Sequence, residues 1–410
     1  MVVGASLAGL RAVEVLRRSG FDGAVTVVGE ETSTPTDRPP LSKQVLAGRK
    51  EPEQVALPAA SADLGITWEL GRRATSLDAE DRSVELDDGR RLSFDGLVIA
   101  CGASPRTLPG TEGVGGVHTL RTVEDCLALR ADLDAGPDRV VVVGAGFIGA
   151  EVAATCRQRG HEVTLLEALP LPLGRVLGDQ IGQACADLHR EHGVDLRTGV
   201  GVAGFEAGAG GRVSAVRLAD GSEVAASVVV VGIGVSPNTS WLEGSGLALD
   251  DGVVCDETCV AAPGIVAAGD VARWPNRRYG ELMRVEHWDN AIEQGAYAAH
   301  RLLSEAAGQD SDSVEPYEPV PWFWSDQHGV KIQLAGRCRP DDNVAVVQGS
   351  MTERRFVALY GRQGRVVGAL GFSRPAPVVR WRARLAVEDV GWDEALAEAE
   401  VAQTSASAAP

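Results

Sequence analysis

Three glycines, Gly144, Gly146 and Gly149, follow an unbroken run of four valines, and Glu167 stands beyond them at the distance of one helix and one strand. Residues of these types at this spacing can bind a dinucleotide. Gly144 allows a tight bend, Gly146 lets the backbone approach a pyrophosphate, and Gly149 lets the following helix pack close to the strand. A carboxylate at 167 can take both hydroxyls of an adenosine ribose and would repel a 2′-phosphate, so the site is expected to prefer NADH to NADPH. The glycines alone are a weak signal. They become specific when a strand precedes, a helix follows and an acid closes the next strand.

The sequence around them predicts those elements. Val140 to Val143 are β-branched and uncharged, which suits a strand buried on both faces of a parallel sheet. A helix over about 147–159 aims its free N–H groups and positive dipole end at the phosphates. A second strand over 162–166 ends on Glu167. The first residues nearly repeat the unit: Met1 to Val3 as a short strand, Gly4, Ser6 and Gly9 as the turn, a helix to about Ser19, and a strand Val25 to Val28 leading to Glu30 and Glu31. Ser6 replaces the middle glycine, which crowds the phosphates slightly but leaves a hydroxyl to donate to them. The opening strand is short, as if a few native residues preceded it. Later landmarks repeat as well. Asp88-Gly89 before a strand at 96–100 matches Asp220-Gly221 before one at 227–231, 132 residues on, while Gly4 and Gly144 lie 140 apart. Two copies of one unit imply two nucleotide sites.

At 410 residues the chain is too long for one core and should hold two or three domains. It has no run of 18 apolar residues and no basic-then-apolar leader, so a soluble cytoplasmic protein with no membrane partner is expected. Seven scattered cysteines form no CxxC and no zinc pattern, which fits free thiols in a reducing compartment and no metal site. A net charge of -18 argues against nucleic acid as partner. An acidic protein could still dock on a local basic patch.

The surroundings of each copy distinguish them. After the first acid comes Thr36-Asp37-Arg38-Pro39-Pro40-Leu41-Ser42-Lys43, a loop stiffened by two prolines that holds cations near the first site. The chain has only three lysines, so Lys43 stands out. Later, Ala267-Ala268-Gly269-Asp270-Val271 follows an apolar run and puts one carboxylate at a strand end, where it could bind a hydroxyl of FAD or simply cap a helix. Together with VGIGVSPN (231–238), VEHWDNA (285–291) and PWFWSDQ (321–327), these motifs resemble the FAD-dependent, NADH-using ferredoxin reductases that serve bacterial haem monooxygenases and ring-hydroxylating dioxygenases. The resemblance covers nearly the whole chain in order. It departs at Thr36, Cys101 and His328.

The resemblance implies FAD contacts for Gly4, Ser6, Gly9, Glu30, Arg38, Lys43, Arg121, Asp270 and Trp288. It implies NAD contacts for Gly144, Gly146, Gly149, Glu151, Glu167, Arg175, Gly232 and Gly234. The candidate catalytic residues are Lys43, Glu151 and Trp324, with Glu151 pairing Lys43 near the reacting flavin and Trp324 over it. The plain alternatives are dipole complementarity for Glu151, an interdomain salt bridge for Arg121 and core packing for Trp324. Disulfide reductases of this architecture carry a CxxxxC pair after the first nucleotide turn. No cysteine occurs here before Cys101, so electrons should leave the flavin directly for an outside acceptor.

The expected fold is α/β, with two Rossmann-like domains arranged as in glutathione reductase plus a C-terminal α+β domain. FAD-binding residues 1–112 and 240–316 would enclose an NAD-binding domain at 113–239. Residues 317–402 would form an antiparallel meander with two helices, and 403–410 a disordered tail. Arg277, Arg278 and Arg284, and Arg380, Arg382 and Arg384, are candidate docking charges for an iron-sulfur ferredoxin. A rubredoxin or small oxidant as acceptor, and a flavin-holding redox sensor, remain as alternatives.

Overall fold

In this computed structural model the chain is described except at residues 59–62, 112, 209, 310–312 and 408–410. It divides into two compact units, each made of three stretches: 1–39, 51–104 and 235–319 in the first, 40–50, 105–234 and 320–410 in the second.

The first unit is built on a six-stranded sheet whose strands follow the order Val260–Ala262, Ile265–Ala267, Leu97–Ile99, Val2–Val3, Val25–Gly29, Ile66–Leu70. All neighbours are parallel except the first pair. The helix Leu7–Arg18 buries its apolar stripe, Leu10, Val13 and Leu16 among it, against this sheet and against the helix Trp288–Ala306. Gly295 makes the helix contact possible: a Cβ there would come 2.4 Å from the carbonyl oxygen of Ala8. A meander, Ala74–Asp78, Ser83–Leu86 and Arg91–Ser93, turns at Asp88-Gly89 as the sequence predicts.

The second unit repeats this plan. Asp195–Thr198, Val163–Glu167, Val140–Val143, Val228–Val231 and Val117–His118 form an all-parallel sheet whose first four strands repeat the order of the first sheet read from its other edge, with the four valines of 140–143 in register with those of 228–231. Its meander, Val202–Ala207, Val213–Leu218 and Glu223–Ala225, occupies the equivalent place. Both valine strands are buried on both faces.

The same unit carries the C-terminal sheet, ordered Trp322–Gln327, Val330–Gly336, Arg365–Phe372, Arg355–Arg362, Asn343–Ser350 and antiparallel throughout. One edge of this sheet is the aromatic segment Trp322–Gln327. One face of the sheet rests on the helix Gly174–Glu191 through Leu177, Ile181, Cys185 and Leu188 against Ile332, Phe356, Tyr360 and Phe372. Each fully buried large side chain there contributes about 2 kcal/mol, and the Tyr360 hydroxyl donates to the carbonyl of Leu177 at 2.8 Å. That packing explains why this sheet and the second nucleotide sheet form one unit.

Several expected bounds differ, residues 105–112 falling in the second unit and 235–239 and 317–319 in the first. Residues 40–50, expected with the first nucleotide domain, belong to the second unit, because Leu41, Ser42, Lys43 and Val45 are buried there by the helices Val123–Asp134 and Phe147–Gln158. The last helix, Trp392–Ser407, runs beyond the predicted start of disorder, carried on by the alanine- and glutamate-rich turns that precede it. The rest of the expected tail, 408–410, lies outside the described residues. Among the described residues no helix is long and apolar enough to cross a membrane.

Candidate functional site

In the first unit Gly4 adopts φ +122°, and a Cβ on it would lie 2.0 Å from the carbonyl oxygen of Ala100. A Cβ on Gly9 would lie 1.9 Å from the carbonyl oxygen of Gly4. Both glycines are therefore demanded by packing. Ser6 precedes the helix Leu7–Arg18 in extended conformation, and its hydroxyl makes no capping bond, so the helix's first N–H groups and the hydroxyl both stay available to a phosphate. Gly4 N–H donates to the carbonyl of Val28 at 2.8 Å, which makes Gly29 the strand-end residue beside the turn. Glu30 comes one position later, its side chain 71% exposed and 3.9 Å from Arg73.

Arg38 forms a 2.6 Å ion pair with Glu31, and Asp37 accepts a hydrogen bond from the indole of Trp288 at 2.8 Å. Asp270 lies in a 3₁₀ turn, Gly269–Val271, whose N-cap is Ala268, so the capping alternative does not hold. Gly269 takes φ +76°, and its N–H donates to the buried Oε1 of Gln294 at 2.9 Å. Asn290 donates to the same oxygen and accepts from Tyr317 Oη, both at 3.1 Å. The sequence reading missed Asp37, Gln294, Asn290 and Tyr317. Seven of the nine FAD candidates fall in this unit; Lys43 and Arg121 fall in the second.

The second turn repeats the first with one difference. Gly144 has φ +96° with its would-be Cβ 2.4 Å from the carbonyl oxygen of Gly232, and Gly149 would meet the carbonyl oxygen of Gly144 at 2.0 Å. Gly232 itself lies against Gly149, at 3.4 Å. Around Gly146, by contrast, nothing lies within 4 Å of an added Cβ, and the same is true of Gly234 at φ +94°. Packing does not require a glycine at 146, so the open space above it fits a ligand's phosphates. Glu167 ends its strand, and both its oxygens are held: Oε2 accepts from Ala145 N–H at 2.7 Å and Oε1 from Leu169 N–H at 2.9 Å. A carboxylate has about four lone-pair sites, so acceptors remain for two ribose hydroxyls. Arg175 is exposed on the helix Gly174–Glu191. Arg121 leads into the helix Val123–Asp134, whose start is a reciprocal Thr122–Asp125 cap, and its N–H donates to Asp125 at 2.9 Å.

The same unit brings Lys43 to Glu151. Pro39 and Pro40 feed a single wide turn, Leu41–Val45, in which Val45 N–H reaches back to the carbonyl of Pro40. That turn buries Lys43, and its Nζ donates to Glu151 Oε2 at 2.7 Å. Ser42 Oγ donates to the same oxygen at 2.5 Å. The other oxygen accepts from Ser325 Oγ at 2.7 Å and from the N–H of Asp326 at 3.4 Å. With its side chain 2% exposed, Glu151 is a buried carboxylate with every oxygen satisfied. Removing one partner of such a pair typically costs about 3–5 kcal/mol. Trp324 is half-buried, its ring 5.2 Å from that of Trp322, and Phe323 meets Phe147 edge-on at 4.5 Å.

All seven cysteines are free. Burial pushes the Cys101 thiol up to about 11 and those of Cys126, Cys156, Cys185 and Cys255 up to about 12, so none is poised as a thiolate. Among the described residues no cluster could hold a metal. Among the six candidate docking arginines, Arg277 pairs with Glu257, Arg284 with Asp251 and Glu286, and Arg384 with Glu388 and Glu398, while Arg382 donates to the carbonyl of Val320.

Residues 1–295 match the family model described as pyridine nucleotide-disulphide oxidoreductase, and residues 322–405 match the reductase C-terminal model. Among curated proteins the chain is 37% identical to the putidaredoxin reductase of Pseudomonas putida, over 92% of this chain and 88% of that one. It is 40% identical to the ferredoxin--NAD(+) reductase component of the p-cumate 2,3-dioxygenase system of Pseudomonas putida, over 82% and 80%. Among solved structures, one of the covalent putidaredoxin reductase-putidaredoxin complex superposes with a TM-score of 0.87 at 36% identity, covering 94% of this chain and 92% of that one.

Proposed function

The chain belongs to the pyridine nucleotide-disulphide oxidoreductase family, and we propose that within it this protein takes hydride from NADH onto FAD and passes single electrons to an iron-sulfur ferredoxin that feeds an oxygenase. The observation that carries the reading is the presence of two nucleotide turns together with seven unpaired thiols, none poised to relay electrons. Bound FAD supplies the conversion of one two-electron input into two single-electron outputs. The chain's residues supply binding, orientation and charge.

Gly4, Ser6 and Gly9 shape the FAD turn, with Glu30 at the ribose, Asp270 at the ribitol, and Trp288, held by Asp37, beside the cofactor; Arg38, Lys43 and Arg121 add positive charge toward it. Gly144, Gly146 and Gly149 cradle NADH, Glu167 takes its ribose hydroxyls, and Gly232, Gly234 and Arg175 border the site. The Lys43–Glu151 pair keeps a cation fixed in a dry environment near the transfer step, and Trp324 covers it. The oxygenase served is a haem monooxygenase or a ring-hydroxylating dioxygenase, and the compartment is the cytoplasm, where NADH and reduced thiols coexist.

The test is anaerobic stopped-flow mixing of the yellow protein with NADH and separately with NADPH, followed by a two-iron ferredoxin. Faster bleaching by NADH and reoxidation by the ferredoxin are expected. If the flavin is reduced but the ferredoxin leaves it reduced, the acceptor assignment fails and a rubredoxin or small oxidant takes its place.

A further inference from the structure

Glu151 is reached from a second direction by a line of polar side chains that the nucleotide reading does not use. Ser325 and Gln327 stand two apart on the strand Trp322–Gln327, both fully buried, at positions where strand alternation would favour apolar residues. Gln327 Nε2 donates to Ser325 Oγ at 3.1 Å, which leaves the serine's only hydrogen for Glu151 Oε1 at 2.7 Å.

The same amide lies beside His189, a fully buried residue of the helix Gly174–Glu191. Gln327 Oε1 and His189 Nε2 have no partner at hydrogen-bond length, yet the amide lies near enough to favour the ring's protonated form. His189 Nδ1 lies 3.0 Å from His328 Nε2. His328 is in turn stacked on His192, ring centres 4.4 Å apart, and His192 Nδ1 donates to the carbonyl of Leu188 at 2.8 Å.

Only one assignment of hydrogens lets every contact point the same way. With Nε2–H on both rings, His328 donates to His189, His189 faces the Gln327 oxygen with its N–H, Gln327 donates to Ser325, and Ser325 donates to the carboxylate. Dipoles aligned in this manner reinforce one another and end on the buried carboxylate.

The anchor of the line is a backbone feature. His328 and Gly329 form the two-residue loop between Trp322–Gln327 and Val330–Gly336, with φ of +52° and +80°, the signature of a type I′ hairpin turn. Asparagine or glycine ordinarily fills the first of these positions, and a histidine accepts strain there. It is also one of the places where the sequence departs from the motif it otherwise matches.

We propose that Ser325, Gln327, His189 and His328 form a one-directional line of aligned polar groups, hydrogen-bonded except between Gln327 and His189, that fixes the Glu151 carboxylate, making Ser325 and His328 positioning residues for hydride delivery from NADH. The inference rests on the reading that Glu151, through Lys43, serves that step.

The test is a pair of double-variant cycles on the FAD-loaded protein, with S325A and H328N each combined with E151Q. H328N puts the turn's favoured residue in place, so it removes the imidazole without straining the loop. Two quantities are read for every variant: the thermal midpoint, and the limiting rate of flavin bleaching alongside the NADH dissociation constant. S325A is expected to lower the limiting rate about tenfold and H328N about threefold, with the dissociation constant unchanged and neither variant adding to the loss in E151Q. The midpoint shifts of S325A and E151Q should likewise be non-additive. Additive losses, or S325A at the full rate while E151Q is slow, would overturn the positioning line and leave the Glu151 reading intact. E151Q at the full rate would remove the Glu151 reading and the line with it.

Discussion

At Gly4 the acid comes one residue after the strand and extends into solvent, whereas at Gly144 the acid is the strand's last residue and two backbone N–H groups hold its oxygens. The register shows why. Val28 and Leu166 accept the same hydrogen bond from the first glycine of each turn, so Gly29 occupies the place of Glu167. A Cβ at 29 would lie 2.5 Å from that of Ala5, so the first copy cannot put its acid there. The middle position differs in the opposite sense, serine in the first copy and an unencumbered glycine in the second. A pre-set acid beside an open cradle suits a ligand that must be recognised anew in every cycle. An exposed acid suits one held by many dispersed contacts.

The largest expected effects come from the third glycines, where both copies are equally crowded. G9A should strip flavin from the purified protein, and G149A should keep it yellow while slowing bleaching by NADH at least about 100-fold, since neither Cβ fits without backbone movement. Absorbance of the purified variants and stopped-flow reduction check this. Flavin loss in G149A would break the assignment of one nucleotide to each turn.

The second effect separates the units by pH. His189 is held down to about 4 and His328 to about 3, chiefly by burial, with the neighbouring histidines and Arg157 adding to the depression at His328. The unfolded chain takes up protons below about 6.5 while the folded rings resist until far lower. Stability is thus complete above pH 6.5 and declines as pH falls toward 4, by about 3 kcal/mol for His189 alone. Urea unfolding at pH 7.5 and 5, followed by hydrogen exchange, should show the second unit opening first. H189F should flatten the dependence, and an equal acid sensitivity in both units would contradict the contrast.

Third, E167Q should lower kcat/KM for NADH about tenfold and bring NADPH close to parity, because one charge-assisted acceptor is lost and the repulsion of a 2′-phosphate with it. E30Q should leave that preference untouched and loosen flavin by less than tenfold. Steady-state kinetics with both nucleotides, and flavin release in mild urea, measure the two. The smallest effect belongs to G146S, which imports the first copy's residue into open space. Its unfolding free energy should stay within about 0.5 kcal/mol of the parent's, with the NADH KM raised a few-fold. A large loss of stability would show that the space above Gly146 is not open in solution.

Both nucleotide sheets were legible in the sequence because their signals are local. Four valines, three glycines and a terminal acid specify a strand, a turn and a next strand within 30 residues, and the duplicated Asp-Gly hairpins marked the meander of each unit. Lys43 stood out because the chain has only three lysines, whereas its pairing with Glu151 was implied by the family resemblance alone. What escaped depends on contacts distant in the chain. Ser42 and Ser325 carry no charge and lie 109 and 174 residues from Glu151. Trp288 and Asp37 are 251 apart. The strand Trp322–Gln327 was hidden because its aromatics read as core, although its alternate polar residues, Ser325 and Gln327, were a usable sign of an inward polar face. The one-residue offset of Glu30 could not be seen because only the backbone register distinguishes Gly29 from Glu167.

The partition of each unit into three stretches bears on how the protein is made. The first unit's sheet includes Val2–Val3 and Ile265–Ala267, and its last stretch ends at residue 319. At ribosomal speeds of roughly 5–20 residues per second, the amino-terminal strand waits about 15–60 s for the final stretch to emerge. Meanwhile the open edge at Leu97–Ile99 is a template for the wrong strand. No contiguous piece of the gene encodes either unit, so neither can be excised, swapped or expressed by cutting at one point, and the two must be inherited, and tuned, together.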